Sequence, residues 1–115
     1  MDINEYQKKA LATAIYPNKG DNPYYPTMGL CGEAGEVADK VKKIMRGDYD
    51  KNDQERVLAI MYEVGDCLWY IANVASEFDF DLATIAEMNL HKLKIRMYED
   101  KIKGDGDNRW LVLWV

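Results

Sequence analysis

The chain has 115 residues, 48% hydrophobic and 30% charged, which fits one globular domain and excludes a disordered chain. A net charge of −5 removes the basic field that duplex nucleic acid requires of a partner. The opening Met1-Asp2-Ile3-Asn4-Glu5 has no basic, apolar leader pattern and no apolar run approaches the ~20 residues of a membrane span, so a cytoplasmic protein without a membrane partner is expected.

Asn4 is placed to cap a first helix through about Ile15, with Tyr6, Leu11, Ala14 and Ile15 on its apolar side. Tyr16-Pro17 ends it, and the turn formers from Asn18 to Pro23 follow. Tyr16, Tyr24 and Tyr25 either form the lip of a pocket or seal the end of the bundle. Thr27 should cap a second helix that runs to about Arg46, where Gly47 stops it. Leu30, Ala34, Val37, Val41, Ile44 and Met45 make one stripe on that helix, and Glu33, Glu36 and Lys40 lie along its flank. Asp39 points elsewhere and reads as a solvated charge.

A third helix should start near Asn52 or Asp53 and continue to about Phe78. Its main stripe is Val57, Ile60, Met61, Val64, Leu68, Ile71 and Ala75, but Ala59, Cys67, Tyr70 and Val74 make the other side weakly polar too, so the helix is expected to be mostly buried. Glu63 and Asp66 fall on that second side, where an uncompensated carboxylate is costly. Gly65 between them costs about 1 kcal/mol of helix propensity relative to Ala, which a close neighbour or ligand would explain. Asp79 or Asp81 caps a fourth helix carrying Ile85, Asn89, Lys92, Leu93 and Arg96 on one face. The helical domain is read as residues 1–103, followed by a tail, 104–115, that is first polar and then apolar from Trp110 to Val115.

Two i, i+3 acidic pairs on two helices, with no His or Cys cluster, favour a hard cation with oxygen ligands, Mg²⁺ first and Mn²⁺ next. Zinc is disfavoured by the single His91 and by two cysteines, Cys31 and Cys67, that form no ligand spacing. A nucleophilic triad lacks a His base. Lys92 and Arg96 are suited to phosphate oxygens that such a cation leaves uncovered.

The run Gly29-Leu30-Cys31-Gly32-Glu33-Ala34-Gly35-Glu36-Val37-Ala38-Asp39, then Glu63-Val64-Gly65-Asp66-Cys67-Leu68-Trp69-Tyr70, resembles the paired motifs of the all-α MazG-like nucleoside triphosphate pyrophosphohydrolases. Asn89-Leu90-His91-Lys92-Leu93 with Arg96 is similar to that family's fourth-helix signature, and Gly104 to Arg109 resembles the end of its short members. The resemblance implies an all-α, four-helix bundle-like fold completed by assembly into a homodimer or homotetramer. It implies Mg²⁺ held by Glu33, Glu36, Glu63 and Asp66, with Asn89, Lys92 and Arg96 on the triphosphate. The implied reaction cleaves a nucleoside triphosphate between its α and β phosphates to a monophosphate and pyrophosphate, in nucleotide-pool house-cleaning. A specialised enzyme for dUTP, dCTP or a phosphoribosyl nucleotide, and a non-catalytic, metal-stabilised helical module, are the alternatives. Many members carry two adjacent acids where this chain has Gly32-Glu33, so the base for the attacking water is Glu33 or Glu36.

Overall fold

The structure, a computed structural model, describes residues 1–102, with side chains as far as residue 100; the expectations for the 104–115 tail lie outside the described residues. It is all-α, with α1 (Ile3–Ala12), α2 (Tyr24–Met45), α3 (Gln54–Glu77) and α4 (Leu82–Ile102), and no strand among the described residues.

Helix ends follow their caps. Asp53 opens α3 by accepting from the Arg56 amide at 3.3 Å, and Asp81 opens α4 by accepting from the Thr84 amide at 2.8 Å. Gly47, at φ 88°, follows the end of α2 in the left-handed conformation that a helix stop uses.

Two expected caps are corrected. Asp2, not Asn4, opens α1, its carboxylate accepting from the Glu5 amide at 2.8 Å. Asn4 is thereby free for a tertiary task, accepting from the Ala83 amide at 3.0 Å in the first turn of α4. Likewise α2 begins before Thr27, because the Asn22 side chain accepts from the Tyr25 amide at 3.1 Å and Pro26 fits a first turn, where a missing N–H breaks no helical bond. The Thr27 hydroxyl donates back to the Pro23 carbonyl at 2.7 Å.

Helix α2 runs antiparallel to α3 along much of its length, α1 packs on α3, and α4 meets α1. The core is small: Ala10, Ala72, Ala75 and Leu82, with Tyr6 and Trp69 packed against it. Trp69 donates from its indole N–H to the Thr13 hydroxyl at 2.8 Å, fastening the end of α1 to α3. Gln7 is buried and satisfied from both ends of its amide, donating to the Ser76 hydroxyl and Phe80 carbonyl and accepting from the Leu82 amide.

The expectation that α3 is mostly buried is corrected. Helix α2 lies on the side carrying Glu63, Cys67 and Tyr70, whereas Met61, Val64, Leu68 and Ile71 of the main stripe are exposed. On α2, Val41 and Met45 are exposed as well, and Ile15 lies beyond α1 in solvent. Helix α2 covers one side of α3 and α1 packs toward its C-terminal half, and among the described residues no helix covers the exposed part of the main stripe. The radius of gyration agrees: 17.6 Å, against ~13 Å for a compact domain of this length.

By length and mean hydropathy alone α3 reaches the threshold of a membrane-crossing helix. Glu63 and Asp66 lie at its middle, facing Glu33 of α2, and one helix of this kind is not evidence of a membrane span.

Candidate functional site

Carboxylate oxygens of Glu33 on α2 and of Glu63 and Asp66 on α3 fall within 4.8 Å of one another. The helical period brings Glu63 and Asp66 to one side of α3, and the antiparallel pairing sets Glu33 opposite them. Glu33 and Glu63 are half-buried and Asp66 is exposed, so the cluster opens to solvent at one edge.

Three carboxylates at this range repel one another. The Glu33 carboxyl is pushed above the usual carboxylate range, first by a hydrogen bond with Glu63, then by burial, then by the charges of Asp66, Glu63 and Glu36. The Lys40 ammonium stands 3.6 Å from Glu63 and is the cation that α2 itself supplies. Asp39 pairs at the surface with Lys42 at 3.1 Å and Lys43 at 3.2 Å, in agreement with its reading as a bystander.

Three side chains that sequence reasoning left unassigned surround the acids. Burial first, then Asp66, pushes the Tyr6 hydroxyl of α1 up. Burial and the three acids push the Cys67 thiol up, away from the thiolate. The Tyr70 hydroxyl is pushed up by burial first, then by Tyr25, Glu33 and Asp66. Its ring lies over Gly29, where a Cβ would overlap it. The helical offset from Asp66 to Tyr70 is the signal that could have found it.

The other expected site residues are placed differently. Glu36 is exposed, one turn beyond Glu33, and acts on the cluster through its charge. Asn89 is exposed and Lys92 and Arg96 half-buried on α4, whose main packing is with α1. The close neighbour expected at Gly65 is not found: apart from its own stretch of helix, no described residue comes within 4 Å of the place a side chain would take there. His91 is exposed.

Among the aromatic residues of the connection, the sealing role falls to Tyr16. Tyr16 is 7% exposed and seals the end of the helices, its ring stacked on Tyr25 with centroids 5.0 Å apart, whereas Tyr24 is 74% exposed. Glu77 was missed altogether. An acid in the last turn of a helix opposes the macrodipole, and that local conflict was its signal.

An all-oxygen donor set beside a thiol held protonated fits a hard divalent cation better than zinc. Residues 26–99 match the family model of the MazG nucleotide pyrophosphohydrolase domain. The chain is also similar to the Gene 37 protein of Mycobacterium phage L5, 45% identical over 114 residues that cover 95% of this chain and 100% of that one. No solved structure matches the chain with significance.

Proposed function

The chain belongs to the MazG nucleotide pyrophosphohydrolase family, and on that premise we propose that it hydrolyses (deoxy)nucleoside triphosphates at the α–β bond, releasing a nucleoside monophosphate and pyrophosphate. The observation that carries this reading is the convergence of Glu33, Glu63 and Asp66 from two antiparallel helices. Crowded carboxylates, with the proton affinity of Glu33 raised by its neighbours, are what a divalent cation relieves.

Glu33, Glu63 and Asp66 would hold Mg²⁺, with Mn²⁺ as substitute and with Glu36 joining from the next turn of α2. When bound, the cation supplies charge neutralisation to the phosphates and acidifies coordinated water. A carboxylate of the α2 pair, Glu33 or Glu36, takes the proton of the attacking water. Asn89, Lys92 and Arg96 orient the triphosphate, and Lys92 offsets the charge that develops on it as the bond breaks.

The working form is a cytoplasmic homodimer or homotetramer. Its support is the uncovered apolar side of α3 and a groove of about 370 Å³ lined by Leu30, Ile71, Val74, Phe78, Ile85 and Met88. The test is a panel of nucleoside triphosphates with and without Mg²⁺, read by pyrophosphate release. Mg²⁺-dependent release from at least one nucleotide supports the reading, and none from any contradicts it.

A further inference from the structure

Glu77 ends α3, well away from the acids, and both of its oxygens are engaged. One accepts from the Tyr16 hydroxyl at 2.5 Å and the Gly20 amide at 2.8 Å, the other from the Asn22 amide at 2.8 Å. All three donors belong to the connection between α1 and α2. Asn22 passes the tie on: its side chain accepts from the Tyr25 amide at 3.1 Å in the first turn of α2 and donates to the Pro17 carbonyl at 2.8 Å. Tyr16 passes it on through its ring, stacked on Tyr25 with planes 9° apart. One carboxylate therefore fastens the start of α2 to the end of α3.

Asn22 precedes Glu33 by as many residues as Glu77 follows Asp66. The tie and the acid cluster are thus at matching heights on the two helices, ~16 Å apart. Between them Tyr70 rests on Gly29, a contact without a side chain on α2 to lock into a hole. A slip of α2 by one residue would carry Glu33 ~1.5 Å along its axis, whereas ligand distances in a metal site tolerate about 0.2 Å.

We infer that Glu77 is a positioning residue that sets the axial register of α2 on α3 and so holds Glu33 opposite Glu63 and Asp66 for a divalent cation. The inference rests on the metal-site reading above. The partners of Glu77 are Tyr16, Gly20 and Asn22 rather than the acids, and it acts through the length of helix between.

The test is Mn²⁺ titration of the full chain by electron paramagnetic resonance, at a temperature where circular dichroism shows each variant folded. Glu77→Gln replaces one acceptor by an N–H₂ group that faces a backbone N–H, and it should weaken Mn²⁺ binding about tenfold, the scale of residues that orient metal ligands. Tyr16→Phe removes one of the three bonds and should weaken it about threefold. Gln7→Ala breaks the Ser76, Phe80 and Leu82 bonds without touching α2, and should lower the melting temperature while leaving Mn²⁺ affinity unchanged. Wild-type affinity in folded Glu77→Gln, or an equal loss in Gln7→Ala, overturns the inference. Should Glu77→Gln fail to fold, Tyr16→Phe decides by the same measurement, with reduced affinity in support and wild-type affinity against. A wild-type chain that binds no Mn²⁺ overturns the metal-site reading and this inference together, whereas wild-type binding with undiminished variants overturns this inference alone.

Discussion

The ring of Tyr70 occupies the space that a side chain at position 29 would fill, so Gly29 is what lets α3 bring an aromatic residue onto the backbone of α2 one turn from Glu33. A methyl group at that position must move the ring or part the helices. Gly29→Ala is expected to cost about 1–3 kcal/mol, the range for overpacking a fitted contact. Thermal denaturation measures it, and the double variant with Tyr70→Ala should lose less than the two single losses added together. Additive losses would mean that the contact does not couple the helices.

Replacing Glu63 or Asp66 by Ala removes an oxygen ligand and leaves both helices intact. Each variant should keep its far-ultraviolet circular dichroism and lose Mg²⁺-dependent pyrophosphate release by ~10²-fold or more, the equivalent of a few kcal/mol of charge stabilisation. Full activity in both would refute the assignment of the acids.

Glu33 has its proton affinity raised in the folded chain, first by the hydrogen bond with Glu63 and then by burial and the neighbouring acids. For an acid whose folded-state value exceeds its unfolded value, the ionised form opposes folding, and stability falls as pH rises above the unfolded value near ~4.3. Glu33→Gln without metal should therefore melt at or above the wild-type temperature at pH 7 while losing activity, and its advantage should vanish near pH 4. A lower melting temperature at pH 7 would show that Glu33 is held by something other than crowded charges. Adding Mg²⁺ should raise the melting temperature of the wild type more than that of the variant.

Glu77 behaves in the opposite sense. Burial pulls its carboxyl up, but hydrogen bonds from the Tyr16 hydroxyl and the Asn22 and Gly20 amides outweigh burial and hold it below the usual carboxylate range. Its contribution to stability is complete above the unfolded value and is lost as pH falls through the folded one. The gap in melting temperature between wild type and Glu77→Gln should be widest near neutral pH and close on acidification below ~4. A gap that is constant with pH would mean that the charge of Glu77 contributes nothing.

Much of the fold was legible in the sequence because its helix ends are written in a few residues: Gly47 stops α2 as expected, and Asp53 and Asp81 are each one of the two starts that the sequence offered for α3 and α4. The cap expected at Asn4 belongs to Asp2, because the Asn4 side chain is taken by the Ala83 amide, which is far away in the chain. The acids were legible as i, i+3 pairs, and three of the four converge. The exposure of Glu36 was not, because helical angle gives direction but not how far a partner helix reaches. The same limit explains α3: two apolar sides predict burial of both, and only the assembled packing shows which side α2 covers. Glu77 acts on a loop distant in sequence, so nothing in its neighbours names its partners.

The central claim is that the acids on α2 and α3 serve α–β hydrolysis of a nucleoside triphosphate. Phosphorus NMR of the reaction products, for wild type and Glu63→Ala with and without Mg²⁺, tests it most directly. Equal amounts of nucleoside monophosphate and pyrophosphate from the wild type, only with Mg²⁺, and none from Glu63→Ala is the expected result. Orthophosphate with a diphosphate, no turnover at all, or equal turnover by the variant would contradict it.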